Sequence, residues 1–243
     1  DPVVITPGVP VPSINFELAQ AGGISGRVTD EQGKPIPNLH VYALKNDCDG
    51  EWVGGVDTDA EGKYTIYGLA AGNVIVRADS SGPEKRYVRQ WYNSTLDCAN
   101  AAPVSVALGD ITPDIDFSLA LAGQVSGTIT DEQGSPIEGM HVQVRSDSCS
   151  DGFQHNWANT DEFGGYTITG IPQGNVYVST CAHCNDQIPP EDRNFLDEWY
   201  NDESHCEDAD PLPVVAGQTS TADFVLRRGE MITLVIIGTD VAG

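Results

Sequence analysis

The feature that most constrains this chain is a match to itself. Ile24-Ser-Gly-Arg-Val-Thr-Asp-Glu-Gln-Gly33 returns as Val125-Ser-Gly-Thr-Ile-Thr-Asp-Glu-Gln-Gly134, at an offset of 101 residues. The residues behind it keep step: Pro35-Ile36 with Pro136-Ile137, His40-Val41 with His141-Val142, Tyr64-Thr-Ile66 with Tyr166-Thr-Ile168, and Trp91-Tyr-Asn93 with Trp199-Tyr-Asn201. A match of this length means one structural unit used twice. In 243 residues it implies two ordinary domains, over 20–121 and 122–228.

Each copy alternates apolar and polar residues over short runs broken by Gly, Pro, Asp and Asn, and none shows helical periodicity. Expected strands are His40–Leu44, Trp52–Val56, Tyr64–Tyr67, Asn73–Ala78, Val104–Leu108 and Ile115–Leu119, with Arg86–Tyr92 a further strand or a short irregular turn. Asp30-Glu-Gln-Gly33 and Thr58-Asp-Ala-Glu-Gly62 end on a glycine that can take positive φ, as tight turns require. The second copy inserts Cys181-Ala-His-Cys184 and a polar loop through Arg193, which moves the offset to 108. The expected fold class is all-β: two tandem Greek-key β-sandwiches with incomplete strands at both termini.

The flanks carry that last point. Residues 2–18 align with 103–119, the end of the first copy, so 1–19 reads as closing strands of a preceding unit or as donor strands. Val3, Val4, Ile5, Ile14, Phe16 and Leu18 are their pairing residues. Residues 229–243 hold an orphan opening strand, donor or acceptor, with Ile232, Leu234 and Ile236 in an uncharged stretch from Met231 to Ile237. Such a segment pairs with another edge or aggregates. The chain opens on Asp1-Pro2 with no signal peptide, which reads as a processed product or a piece of something longer.

The net charge is −24. An acidic surface of that size repels nucleic acid and anionic lipid, and excludes both as partners. The longest apolar run falls short of the ~18–20 residues a membrane span needs.

The six cysteines fall into register: Cys48 on Cys149, and Cys98 on Cys206. That reads as one disulfide per copy, Cys48–Cys98 and Cys149–Cys206, leaving Cys181 and Cys184 to close on each other. Three bridges without a spare thiol fit an oxidising compartment, hence a secreted protein. A loop of about 50 residues closed in this way is worth roughly 4 kcal/mol on the chain-entropy argument.

The runs Ile24 to Ile36, Thr58 to Ile66 and Gly68 to Val76, with Val125 to Ile137, Thr160 to Ile168 and Gly170 to Val178, resemble the carboxypeptidase-regulatory-like and Cna B-type modules. That resemblance implies prealbumin-like β-sandwiches, in tandem as in secreted prokaryotic surface proteins. There such modules act as stalks, spacers, adhesin parts and accessory domains of enzymes. Some Cna B-type modules carry a Lys–Asn isopeptide bond; the second copy contains no lysine, so a disulfide takes over as its staple, and the same is expected of the first.

Several constellations could carry chemistry. Cys181, His183, Cys184, His205 and Cys206 could hold zinc, against a plain disulfide. Asp57, Asp59 and Glu61 space three carboxylates two apart before a glycine, as a calcium loop does, against a hairpin turn. Calcium is the only cofactor for which the sequence offers a candidate site; otherwise none is expected. Trp52, Phe153 and Trp157 could stack on sugar rings of surface glycans, against core packing. Trp91-Tyr92 and Trp199-Tyr200 read as packing anchors, and His40 and His141 as structural. Asn93-Ser-Thr95 is a glycosylation sequon. No nucleophile elbow, phosphate loop or His-Glu-x-x-His occurs, so no enzyme is expected.

The expectation is thus an extracellular, cell-surface structural protein: a subunit of a fibre or stalk whose strands complement a neighbour's sheet head to tail. Its partners are copies of itself or neighbouring repeats. The competing class is a carbohydrate-binding or calcium-dependent adhesion module.

Overall fold

The structure, a computed structural model, describes residues 5, 7–10, 15, 20–48, 50–80, 85–146, 154–185 and 194–229. The first repeat runs β1 (Gly22–Asp30), β2 (His40–Lys45), β3 (Trp52–Asp57), β4 (Lys63–Leu69), β5 (Gly72–Asp79) and β6 (Gln90–Trp91). A 3-10 turn (Cys98–Asn100) then leads to β7 (Val104–Val106), β8 (Ile111–Thr112) and β9 (Phe117–Leu119). The second repeat runs β10 (Gly123–Asp131), β11 (His141–Arg145), β12 (Gln154–Asn159), β13 (Gly165–Ile171), β14 (Gly174–Cys181), β15 (Leu212–Val214), β16 (Thr219–Thr221) and β17 (Phe224–Leu226).

Each repeat is two sheets face to face. In the first, β4 pairs antiparallel with β1, whose other edge carries β8 and then β9, both parallel. The opposing sheet has the order β3-β2-β5, with β6 and β7 sharing the outer edge of β5. The second repeat copies this with β13-β10 and β16, β17, opposite β12-β11-β14-β15. The two-residue alternation fills the space between: Ile24, Val28, Val41, Ile66 and Val76 in one core, Val125, Ile129, Val142, Ile168 and Val178 in the other, none more than 3% exposed.

One device is made twice where the closing segment crosses from β8 to β9. A Cβ on Gly26 would lie 2.0 Å from the Ile115 carbonyl oxygen, and one on Gly127 would lie 1.9 Å from that of Ala222. Only glycine admits so close a backbone. The Tyr64 hydroxyl donates to the Ile115 carbonyl at 2.6 Å, and that of Tyr166 to Ala222 at 2.5 Å. Burial pushes both phenols well above their ordinary pKa, with Asp116 and Asp223 adding to it, so both stay protonated donors.

Four tight turns also share one design: Asp30–Gly33, Asp59–Gly62, Asp131–Gly134 and Asp161–Gly164. In each the aspartate Oδ1 accepts the amides two and four residues on, at 2.7–3.0 Å. The glycine sits at φ between 74° and 81°, where a side chain would be strained.

Some strand expectations need correction. Val104–Leu108 stops at Val106, because the chain turns at Gly109 (φ 82°). Ile115–Leu119 begins only at Phe117, since Asp114 takes φ 61° and Ile115 spends its carbonyl on the crossing. Between them lies β8, which the pattern did not reveal. Arg86–Tyr92 forms only β6 and two isolated bridges, from Tyr87 to Leu121 and from Trp91 to Thr95.

Candidate assembly interface

The two repeats meet end to end, and the contact is built from ordinary surface residues. Leu121, in the three-residue connection between β9 and β10, lies against Gly217: a Cβ there would come 2.9 Å from its Cδ2. The Gly217 amide donates to the Ala122 carbonyl at 2.8 Å. Beside it, Lys85 of the first repeat lays its stem over Gly170, whose would-be Cβ lies 3.1 Å from Lys85 Cβ and Cδ. The Lys85 ammonium donates to Asn156 Oδ1 at 3.2 Å. Val88, Leu96 and Pro172 line the cleft between these contacts. Nearby Arg89 has its pKa lowered by burial, with the Asp79 carboxylate opposing that.

The same two faces occur again, and among the described residues neither has a second repeat seated on it. At the head of the first repeat, Gly68 (φ 80°) matches Gly170, yet no described residue comes within 4 Å of its would-be Cβ. Gly109 matches Gly217: its amide donates to the Ala21 carbonyl at 3.2 Å, and Gln20 packs against it as Leu121 does against Gly217. Around them Tyr67, Leu108 and Ile111 are exposed. At the tail of the second repeat, the Leu196 amide donates to the Arg227 carbonyl as that of Val88 does to Ala120. Val88 is 6% exposed under its neighbour, whereas Leu196 is 56% exposed. Phe195 bridges Arg228 as Tyr87 bridges Leu121, and the Arg228 guanidinium lies over the Phe195 ring at 4.7 Å. Glu198, in the place of Gln90, is buried with Oε2 unpartnered. Burial raises its pKa, Asp202 adds to this, and Arg227 opposes it.

The residues singled out from the sequence are placed as follows. Cys48 and Cys98 are bonded, with Cα atoms 5.8 Å apart. Cys181 and Cys184 are bonded at 5.4 Å, which leaves neither thiolate for zinc. Cys206 is disulfide-bonded; Cys149 lies outside the described residues. Asp57 turns its carboxylate to His40 Nδ1 at 2.6 Å, while Asp59 holds its own turn. A cation at Asp57, Asp59 and Glu61 would compete with both sets of bonds. Among the described residues no three His, Cys, Asp or Glu side chains converge as a metal set. Trp52 and Trp157 are exposed on matching sheets, and Phe153 lies outside the described residues. Ile5 is exposed; Val3, Val4, Ile14, Phe16, Leu18, Ile232, Leu234 and Ile236 lie outside the described residues. The junction residues Lys85, Leu121, Asn156 and Gly217 escaped sequence reading. The signal was there in three matched positions: Gln20, Leu121 and Arg228, apolar only where a repeat on each side covers it.

A family model described as the carboxypeptidase regulatory-like domain matches residues 23–119 and 124–183. Among solved structures, the Bacillus anthracis TIE protein aligns over 86% of this chain and 34% of its own, at 14% identity and a TM-score of 0.33. A Streptococcal ancillary pilin aligns over 84% and 62%, at 11% identity and 0.33. GBS52, the minor pilin of Streptococcus agalactiae, aligns over 88% and 98%, at 12% and 0.34. The chain thus spans about a third and three fifths of the first two. Among curated proteins, none matches the chain.

Proposed function

Because this chain belongs to the carboxypeptidase regulatory-like domain family, and stacks two of its repeats through one head-to-tail contact, we propose that it is a non-enzymatic structural protein of the cell surface. It serves as a segment or subunit of a stalk or fibre. The observation that supports this reading is the junction: Leu121 and Lys85 seated on Gly217 and Gly170, with no described residue over Gly68 and with Leu196 exposed. A contact between unlike faces propagates instead of closing. Strands from 1–19 and 229–243, matched by sequence to closing and opening strands, add to the sheet of the next unit.

Size-exclusion chromatography with light scattering and negative-stain imaging tests this on the full chain and on a chain lacking residues 1–19. The full chain should form linear assemblies, and the truncated chain should remain monomeric. A full chain that stays monomeric, or truncated chains that assemble as well as the full ones, overturns strand donation.

A further inference from the structure

The outer face of the β3-β2-β5-β6 sheet carries a row of side chains that neither core nor junction uses. Register places Gly55, Tyr42, Arg77 and Trp91 side by side across four strands, a row of about 14 Å at ~4.8 Å per strand. The His40 ring lies 4.2 Å from that of Tyr42, and the Arg77 guanidinium covers Tyr42 at 4.7 Å and Trp91 at 5.2 Å. Arg77 Nε is buried without a partner. The matching row of the second repeat is Trp157, Gln143, Ser179 and Trp199. There His141 packs on Trp157 at 5.0 Å, and Gln143 Nε2 donates to Ser179 Oγ at 3.1 Å.

The two exposed indoles reach one place by different routes. Trp157 stands where the first repeat has Gly55. Trp52 comes from three residues earlier, past an irregularity in the β2–β3 register, and brings its Nε1 within 3.4 Å of the point a Gly55 Cβ would occupy. His40 Nε2 lies 2.6 Å from the same point. Trp52 remains 59% exposed and Trp157 57%. An indole laid back over a glycine of its own strand would account for Trp52 on packing grounds. It does not account for Trp157, which faces Gln143.

Each repeat therefore shows water a flat indole, flanked by an imidazole and by Asp57 or Asn159. A pyranose ring needs that combination: an apolar plane for its C–H face, and nearby donors and acceptors for its hydroxyls. We propose that these two faces bind neutral polysaccharide, with one sugar ring stacked on Trp52 and another on Trp157. Charge selects the class. At −24 the chain repels sulfated or uronate-bearing chains, and Trp157, Gln143, Ser179 and Asn159 are all uncharged. Two sites on one chain bind a long polymer more tightly than either alone. Nothing in this depends on how the protein assembles.

Affinity electrophoresis of the full chain through gels containing hydroxyethylcellulose, galactomannan or dextran, beside a glycan microarray, tests it. At least one neutral probe should retard the wild type. Trp52→Ala and Trp157→Ala should each weaken that binding by about 10-fold, and the double variant should run as in a plain gel. Trp157→Phe, which keeps an aromatic plane, should retain most of the effect, and melting curves should show all variants folded. No retardation by any neutral probe, retardation unchanged in the folded double variant, or binding confined to sulfated or uronate glycans would overturn the proposal.

Discussion

Replacing Gly26 by alanine probes the crossing that both sandwiches share. The new methyl would begin 2.0 Å from the Ile115 carbonyl oxygen and 2.5 Å from its carbon, with Tyr64 Cε1 at 3.1 Å. The obstruction is backbone, so no rotamer relieves it, and ordinary contact requires the crossing to move by roughly 1.2–1.4 Å. Core overpacking of this kind costs about 1–3 kcal/mol. Displacing Ile115 also strips the Tyr64 hydroxyl of its buried acceptor, which adds about 1–3 kcal/mol. The sum, about 2–6 kcal/mol, is a large fraction of one domain's stability. Urea unfolding followed by tryptophan fluorescence would read it, with Gly127→Ala giving the same loss in the second repeat. Tyr64→Phe is the companion measurement, since it removes the hydrogen bond alone and should cost only ~1 kcal/mol. If Gly26→Ala lowers stability by less than Tyr64→Phe does, the crossing is not the tight point this reasoning makes it.

The remaining predictions concern carboxylates. Glu198→Gln restores the residue type that the first repeat has at Gln90. Because burial raises the folded pKa of Glu198, the native state holds the proton more tightly than the unfolded chain, so stability falls as pH rises through the window above the unfolded carboxyl value. The variant should therefore melt higher than wild type at pH 7 and nearly level with it below about pH 4, as followed by differential scanning calorimetry. Asp59→Ala should cost about 1–2 kcal/mol by leaving the Glu61 and Lys63 amides without the carboxylate oxygen that accepts from both. Added calcium should not change the wild-type melting temperature, and a calcium-dependent rise abolished by Asp59→Ala would show that the loop coordinates after all.

The fold was legible because its determinants are local and doubled. Asp30-Glu-Gln-Gly33 and its copy announce a turn, and the alternation of Ile24, Gly26 and Val28 announces a strand whose middle position faces inward. What that middle glycine accommodates was not legible, since the Ile115 carbonyl arrives from 89 residues away. A two-residue strand such as Ile111–Thr112 is shorter than any period that could reveal it. The junction was hidden for another reason. Leu121, Lys85 and Gly217 are unremarkable residues whose importance comes from being covered by a neighbouring body, and covering leaves no periodic mark. The carboxylates of Asp57 and Asp59 look alike in sequence, but one serves His40 and the other its own turn.

The parallel ladder between β1 and β9 has a mechanical consequence. Chain enters a repeat at the Gly22 end of β1 and leaves beyond Leu119, which is paired with Asp30 at the opposite end of the same strand. Tension applied between the two ends of a repeat pulls those two neighbours in opposite directions along their common axis. The pairs Val28–Phe117, Thr29–Ser118 and Asp30–Leu119 are then sheared simultaneously and cannot be unzipped one at a time. A module wired in this way resists stretching best along the line on which its repeats are strung.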